Sequence, residues 1–206
     1  MLDAPMKNQT LQTLAALALF AAAMASRLYT PFGGTHMPWL ENFSPLAAIC
    51  LCGAIYLPRK MAVLLPVSII FVSDLMLNAH YQQPWVSLGM LPNYIAFGLI
   101  IWLGWAIRKH GRLWMVIPAG LLGSILFYLI TNTGAWISNP AYGKSFAGWA
   151  QALTTGIPGY PPTWMFYRST LVSDLLFTTL FVVCMVATDS RTHALKPARH
   201  PAPFAS

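Results

Sequence analysis

The stretch from Trp85 to Thr131 reads WVSLGMLPNYIAFGLIIWLGWAIRKHGRLWMVIPAGLLGSILFYLIT. Two apolar runs, 85–107 and 113–131, flank a five-residue segment in which three residues are basic. Each run is about as long as a helix needs to cross a bilayer, which takes roughly 20 residues. The stretch therefore predicts a transmembrane hairpin. Its basic turn is expected in the cytoplasm, because cytoplasmic loops carry the excess of Lys and Arg.

The same alternation continues through the rest of the chain. Apolar runs predict six spans, at 11–25, 45–57, 61–77, 85–107, 113–131 and 170–186. Nine of the 12 Lys and Arg residues fall in the N-terminus, the second and fourth loops and the C-terminal tail. The other loops hold only Arg27, Lys144 and Arg168. We therefore expect both termini in the cytoplasm, an exported loop over 132–168 and a disordered cytoplasmic tail over 189–206.

Composition supports an all-α membrane protein built as a single six-helix domain. Of the 206 residues, 57% are hydrophobic and only 8% are charged, whereas a soluble domain has about 25% charged residues. The net charge of +7 follows from the cytoplasmic loops and favours contact with anionic lipid. No stretch interleaves basic and aromatic residues as a nucleic-acid module does, so nucleic acid is not an expected partner.

The first span has a second interpretation. Lys7, the apolar run from Leu11 and the segment Ala23-Met24-Ala25 also match a cleavable secretory signal. Cleavage would leave five spans, and the charge pattern does not decide between the two. The three cysteines (Cys50, Cys52 and Cys184) all lie in apolar runs, which indicates packing residues and not a disulfide framework.

Two carboxylates stand inside the predicted spans. Asp74 and Asp174 are costly in hydrocarbon, so they are expected to face the bundle interior and to have a partner. Arg168 precedes Asp174 by six residues and is predicted at a depth similar to that of Asp74. The three residues form either the polar floor of an outward-open cavity or a structural clamp between the third and sixth spans.

Further candidate binding residues lie toward the predicted outer side. Neutral imidazole is a metal ligand, and two histidines fall in outer loops, although no helical zinc-site spacing is present. Helical spacing places two aromatic residues where they could cover a flat ligand, and an Asn and a Trp four residues apart could share a face. These candidates are His36, His80, Trp85, Tyr94, Asn132 and Trp136. The segment Ser145–Leu153 predicts a short amphipathic helix, with Phe146, Trp149 and Leu153 on one side.

Several segments resemble a bacterial family of six-helix membrane proteins of unknown function, of the DUF6580 type. They are 42–48 (NFSPLAA), 64–66 (LLP), 73–75 (SDL), 131–136 (TNTGAW), 168–171 (RSTL) and 174–176 (DLL). The chain is also similar to the S-components of energy-coupling-factor vitamin transporters, including solitary cobalamin-uptake S-components. The resemblance implies a six-helix bundle that binds a small molecule at its outer face, alone or with an energising transporter module.

The resemblance also bears on the ligand. Cobalamin-type members use a cysteine near the start of the fourth span as a cobalt ligand, and residues 86–90 here (VSLGM) contain none. If a corrinoid is the transported ligand, His80 or His36 would be the replacement. No resident cofactor and no metal site built by the protein alone is expected.

Three functions follow as hypotheses. The first is a membrane protein that binds and takes up a small vitamin-like molecule, one candidate being a corrinoid. The second is a structural or assembly subunit of a larger membrane complex, docked through small residues of the second and fifth spans. The third is a membrane enzyme that acts on lipid or quinone with His80 and Asp74 as acid and base. Because no nucleotide motif and no catalytic constellation is present, we expect that the protein is not an enzyme.

Overall fold

A computed structural model of the chain describes residues 6–32, 43–110 and 113–194. Within these residues the backbone forms seven α-helices and no strand, which confirms the all-α prediction for this part of the chain. The helices are α1 (Met6–Phe32), α2 (Leu46–Tyr56), α3 (Arg59–His80), α4 (Leu91–His110), α5 (Val116–Ser138), α6 (Phe146–Leu153) and α7 (Thr163–Ala194). Short 3₁₀ turns, Leu88–Met90 and Leu113–Met115, precede α4 and α5.

Four segments are long and apolar enough to cross a membrane. They are Arg59–His80, Leu88–His110, Val116–Ser138 and Thr163–Ala187. By length and composition the chain is therefore a multi-pass membrane protein. The apolar parts of the first two helices, Thr13–Tyr29 and Leu46–Tyr56, are shorter. The described residues therefore contain four helices of spanning length, where the sequence predicted six spans.

Helix α2 is the clearest departure from the predicted spans. Its 11 residues rise only about 16 Å, whereas a bilayer core is about 30 Å thick. Proline limits it at both ends. Pro45 is its N-cap, and Pro58 follows Leu57, whose backbone is extended because the residue before a proline is disfavoured in helical geometry. The predicted span 45–57 is therefore wrong as a full crossing by one helix.

Helix α2 lies at the centre of the bundle. It contacts α1, α3, α4, α5 and α7, and those five helices surround it in the order α3, α1, α7, α5, α4. Nine of its residues, Leu46 to Ala54, are buried. A helix that is apolar on every side is expected where no side faces solvent or lipid, so α2 supplies the core on which the longer helices pack.

Glycines allow the longer helices to approach α2 and one another closely. A Cβ on Gly104 would lie 2.6 Å from Ala54 Cβ and 2.8 Å from the Leu51 carbonyl oxygen, and one on Gly53 would lie 3.2 Å from Pro66 Cγ. The small residues of the second and fifth predicted spans thus pack inside the bundle. The prediction that they form a docking surface for a larger complex is wrong, because these positions are buried.

The predicted loop 132–168 is shorter in the structure. Helix α5 continues to Ser138 and α7 begins at Thr163. The polar segment at 131–133 does not end the helix, because Thr131 Oγ1 and Asn132 Nδ2 donate to the carbonyls of Phe127 and Tyr128, one turn earlier. Helix α7 also extends to residue 194, so the predicted disordered tail 189–206 begins as helix, and residues 195–206 lie outside the described part.

The bundle has two chemically different ends. At one end, called the basic end, lie Arg59 and Lys60 at the start of α3 and Arg108, Lys109 and His110 at the end of α4. The opposite end, called the aromatic end, brings together the last turns of α1, α3 and α5 with the first turns of α4 and α7. Phe32 of α1 packs on His80 of α3 there, with ring centroids 4.6 Å apart.

The connection between α5 and α7 is an ordered cap on the aromatic end. Its short helix α6 confirms the predicted helix, and Ser145 caps it by accepting a hydrogen bond from Gly148 N at 3.2 Å. The face that packs on the protein holds Gly148 and Ala152, and Phe146 on the predicted apolar side is exposed. Gly148 must face inward because a Cβ there would collide with the Gly143 carbonyl.

Candidate functional site

A buried ion pair links the last turns of α1 and α3. Arg27 Nη2 lies 2.5 Å from Asp74 Oδ1, and the two side chains are only 13% and 9% exposed. Tyr94, in the first turn of α4, donates its hydroxyl to Asp74 Oδ2 at 3.2 Å. Both carboxylate oxygens are therefore used, and three helices meet on one acid. We call this group the Arg27 cluster.

The guanidinium of the Arg27 cluster retains an unused donor. Arg27 Nη1 is buried and has no hydrogen-bond partner among the residues that the structure describes. A buried donor without a partner costs about 1–3 kcal/mol. The cluster is electrically balanced by Asp74, so Nη1 is suited to an added acceptor such as a carbonyl, carboxylate or phosphate oxygen.

The sequence did not predict that Arg27 is the partner of Asp74. The predicted first span ended at Ala25, which assigned Arg27 to a loop, whereas α1 continues to Phe32. A usable signal was present, since Ser26-Arg27-Leu28-Tyr29 extends the helical run without Gly or Pro. Arg168, the predicted partner, is exposed near the start of α7. The predicted clamp between Asp74 and Arg168 is wrong, because α1 supplies the cation.

Aromatic side chains stand above the Arg27 cluster. The His80 ring lies between Phe32 and Tyr81, at centroid distances of 4.6 and 5.0 Å, and His80 is exposed. Trp85 is 66% exposed, and its carbonyl accepts a hydrogen bond from Asn78 Nδ2 at 3.1 Å. Of the predicted site residues, Asp74, His80, Trp85 and Tyr94 thus lie at one end of the bundle, with Asp74 and Tyr94 in direct contact.

Two predicted residues on α5 have structural partners. Asn132 donates back to the Tyr128 carbonyl at 2.8 Å, and Trp136 Nε1 donates to the Gly143 carbonyl at 2.9 Å. Lys144 Nζ donates to the carbonyls of Trp136, Ile137 and Asn139 at the end of α5, where helices leave unpaired acceptors. These contacts fasten the connecting segment to α5. The remaining candidate, His36, lies outside the described residues.

Asp174 makes contacts separate from those of the Arg27 cluster. It is fully buried and stands eleven residues into α7, about 16 Å along that helix. Its Oδ1 accepts a hydrogen bond from Ala48 N at 3.1 Å. Ala48 is in the first turn of α2, whose N-cap Pro45 offers no side-chain acceptor. Asp174 thus caps a helix that begins within the bundle, whereas Asp74 pairs with a guanidinium.

The other end of α2 is held by a cation. Arg108 Nη1 donates to the Leu57 carbonyl at 2.5 Å and to the Ala54 carbonyl at 3.4 Å. A helix carries partial positive charge at its N-terminus and partial negative charge at its C-terminus, so Asp174 and Arg108 each match the end that they contact. Neither role was predicted, because both depend on contacts between helices distant in sequence.

The described residues contain no group of three or more His, Cys, Asp or Glu side chains that could hold a metal ion. The cysteines of the described residues form no disulfide, and Cys50 and Cys52 of α2 are buried. The polar chemistry of the described part is therefore concentrated in the Arg27 cluster at the aromatic end and around Asp174 in the interior.

Long apolar helices packed around a short buried helix, with ionised groups confined to interior contacts and helix ends, define a multi-pass helical membrane protein. The chain belongs to a family of unknown function, DUF6580, whose model matches residues 7–196. No curated protein and no solved structure matches it.

Proposed function

We propose that this chain is a membrane protein that binds a small vitamin-like molecule at its outer face and mediates its uptake. The observation that carries the proposal is the Arg27 cluster, whose buried Nη1 donor has no partner in the described ranges 6–32, 43–110 and 113–194. Ionisable groups within membrane helices usually mark a substrate pathway or a structural pair. A pair with a purely structural role is expected to use all of its buried donors, and the described part of the chain supplies no acceptor for Arg27 Nη1.

The proposal includes a topology of six crossings with both termini in the cytoplasm. Helix α1 ends at the aromatic end and α2 ends at the basic end. The proposed second crossing therefore lies between these two points, and α2 supplies its inner half. Four cations of the basic end, Arg59, Lys60, Arg108 and Lys109, belong inside by the positive-inside rule. The aromatic end then faces the exterior of a bacterial inner membrane.

The ligand class follows from the same cluster. Because Asp74 already neutralises Arg27, the ligand needs a hydrogen-bond acceptor there and not necessarily a full negative charge. The exposed rings of His80, Tyr81 and Trp85 offer apolar area for a flat molecule. A corrinoid fits this class as one candidate, and His80 is then the candidate cobalt ligand within the described residues.

The test is equilibrium binding to the full-length protein in lipid nanodiscs, with cobalamin, cobinamide and other B vitamins as probes. We expect saturable binding of one probe. Replacing Arg27 by Gln should weaken it by about 10–100-fold, the value of a charge-assisted hydrogen bond. Arg168→Gln is the matched control, because Arg168 is an exposed arginine near the same end, and it should change binding less than about 2-fold.

Two results would count against the proposal. One is the absence of saturable binding for every probe. The other is equal affinity in the wild type and the Arg27→Gln variant, which would place the site elsewhere. A His80→Ala variant separates corrinoid binding from binding of other vitamins, since it should abolish any cobalt-ligand signal in the cobalamin spectrum and leave other ligands unaffected.

An energising partner, which the S-component resemblance implies, needs a lipid-facing surface of small residues. Helix α1 exposes one such face, formed by Ala18, Ala21, Ala22 and Ala25, and small residues permit close helix–helix approach in membranes. If a partner docks there, Ala22→Trp should abolish uptake into cells and leave ligand binding to the purified protein intact. Unchanged uptake would indicate that the protein works without a partner on α1.

A further inference from the structure

Three buried oxygen atoms without partners occur at the junction of α2, α5 and α7. They are Asp174 Oδ2, Ser124 Oγ and Thr178 Oγ1. All three residues have 0% exposure. Within the described residues none of these atoms makes a hydrogen bond of ordinary geometry. Ser124 still lies within reach of a weak hydrogen bond to Asp174, and Thr178 within reach of one to Cys52. Buried polar atoms are nearly always satisfied, so a group of three in one place points to something that occupies it.

The helix register brings the three residues into two adjacent layers. In the first, Asp174 of α7 meets Ala48 N of α2 at 3.1 Å and lies beside Ser124 of α5. One turn further, Thr178 packs on Gly120 of α5, where a Cβ would come within 2.9 Å of its Oγ1. Gly120 therefore makes room for the threonine side chain. Two oxygens come from one face of α7, and the third comes from α5 opposite.

The cap of α2 accounts for only half of the Asp174 carboxylate. Oδ1 accepts from Ala48 N at 3.1 Å, while Oδ2 makes no hydrogen bond of ordinary geometry in the described part of the chain. Its nearest donors, Ala47 N and Ser124 Oγ, are only weakly engaged. An isolated carboxylate in an apolar interior is very costly unless a positive charge neutralises it. The described cations lie elsewhere, with Arg27 on Asp74 and Arg108 on the far end of α2. The positive end of the α2 dipole supplies only a partial charge.

We propose that this junction, the Asp174 site, binds a small monovalent cation, either Na⁺ or a proton, between Asp174, Ser124 and Thr178. Three hard oxygen ligands with one negative charge become neutral when they take up one positive charge. A divalent ion would leave a net charge in the interior, and a soft metal would prefer sulfur or nitrogen. The site lies inside the bundle, so it is independent of the ligand site proposed at the aromatic end.

The titratable neighbours of Asp174 are few. Helix α2 contributes the thiols of Cys50 and Cys52, and α7 itself contributes Tyr167. Helix α5 contributes Ser124, which does not titrate. A dependence on pH that disappears when Asp174 is changed can therefore be assigned to this carboxyl group.

The experiment measures thermal unfolding of the full-length protein in detergent, with NaCl replaced by choline chloride at constant ionic strength and at several pH values. A cation that binds only the folded protein stabilises it by mass action. If Na⁺ is the occupant, Tm rises saturably with Na⁺ by about 2–4 °C or more. If a proton is the occupant, Tm is insensitive to Na⁺ and falls as pH rises, because ionisation leaves the buried charge uncompensated.

Variants assign the effect to the site. In Asp174→Asn the amide oxygen can still accept from Ala48 N, and the amide NH₂ can donate to Ser124 or Thr178. Because this side chain is neutral and does not titrate, the variant's Tm should not respond to Na⁺ and should lose the pH dependence that Asp174 contributes. Thr178→Val should weaken the Na⁺ response at least several-fold. Thr179→Val is the matched control with no expected effect, since Thr179 is exposed on the other side of α7 and bonds to its own helix.

The proposal is overturned if Na⁺ does not change the wild-type Tm and the pH dependence of the wild type equals that of Asp174→Asn. That result would mean that the unused oxygens bind only water. If Asp174→Asn does not fold, Asp174→Ser provides the same comparison with a shorter acceptor. Equal responses of Tm to Na⁺ in Thr178→Val and Thr179→Val would exclude Na⁺ as the occupant. The pH dependence of the wild type and of Asp174→Asn then decides whether a proton occupies the site.

Discussion

The Arg27–Asp74 pair shows how a single contact can join three helices within a membrane. The acid stands on α3, its cation on α1 and its second hydrogen-bond donor on α4. Each ionised group alone would be far too costly in this environment, and together they form a neutral unit. The pair therefore has a structural role whether or not a ligand reaches Arg27 Nη1.

Removing one partner of this pair should be strongly destabilising. We expect Arg27→Ala or Asp74→Ala to lower the free energy of unfolding by about 3–5 kcal/mol, because each leaves an uncompensated buried charge. The double variant should lose less than the sum of the two single losses, since no orphan charge remains. Unfolding titrations in mixed detergent micelles measure all three values, and additive losses would contradict a direct pair.

Asp174 illustrates a different use of the same side chain. Its local sequence, VSDL at 172–175, repeats the VSDL at 72–75, and in both segments the serine donates to a carbonyl three residues earlier at 2.8 Å. Yet Asp74 meets a guanidinium and Asp174 meets a helix N-terminus. The local sequence sets the backbone contact, and the neighbouring helices set the role of the acid.

At the scale of elements, α2 is the part of the fold that needs the most support. A helix of 11 residues is marginal by itself. Both of its ends lie against other helices, so its terminal N–H and C=O groups need partners within the protein. Asp174 and Arg108 supply them with charges that match the helix dipole.

The C-terminal contact of α2 gives a prediction. Arg108→Ala should reduce the free energy of unfolding by about 1–2 kcal/mol, since it removes a cation from a partly buried helix C-terminus. Arg108→Lys should recover only part of this loss, because an ammonium lacks the planar fork that reaches two carbonyls. Arg59→Ala, which removes an exposed cation at the same end, should stay within about 0.5 kcal/mol of the wild type. An equal loss in Arg59→Ala and Arg108→Ala would show that α2 is not supported in this way.

Helix α4 offers a matched pair of glycines. Gly104→Ala places a methyl group 2.6 Å from Ala54 Cβ, so we expect a loss of about 1–3 kcal/mol from overpacking against α2. Gly98→Ala, six residues earlier, meets nothing within 4 Å and should be neutral or stabilising by about 0.5–1 kcal/mol. Thermal unfolding of both variants decides the point. Similar behaviour would mean that α4 does not pack on α2 at Gly104.

Hydropathy and charge predicted the elements better than their ends. The four long apolar helices and the short helix α6 lie where periodicity places them, because burial in lipid or against α5 follows directly from the residue types. The ends of α1 and α5 were missed for a local reason. Asn132 bonds to a carbonyl of its own helix, and Arg27 pairs with Asp74, 47 residues away. Both polar residues therefore lie within helices, although their polarity alone predicts a loop.

The site was less accessible to sequence reasoning than the fold. Asp74 could be selected because a carboxylate within a membrane span is unusual. Tyr94 could be selected because helical spacing can turn its ring toward a flat ligand. Their common partner could not be identified, since it depends on which helices are neighbours. The same holds for Ser124 and Thr178, which look like ordinary membrane-helix hydroxyls until α5 and α7 place them beside Asp174.

At the scale of the whole molecule, the distribution of charge between the two ends of the bundle indicates its orientation in the membrane. The basic end carries cations of α3 and α4, whereas Arg27 and Lys144 at the aromatic end are engaged in an ion pair and in capping α5. Membrane orientation follows the excess of Lys and Arg in short cytoplasmic loops. The proposed ligand site is therefore useful for uptake only if the aromatic end faces outward.

Single-cysteine labelling in spheroplasts tests that orientation most directly. In a background with the three native cysteines replaced by Ala, a membrane-impermeant maleimide should label the Thr155→Cys variant in spheroplasts whose membrane is intact. Thr155 is exposed at the aromatic end. The Lys109→Cys variant, exposed at the basic end, should react only after the membrane is opened. The reverse pattern would place the Arg27 cluster toward the cytoplasm and contradict an uptake role.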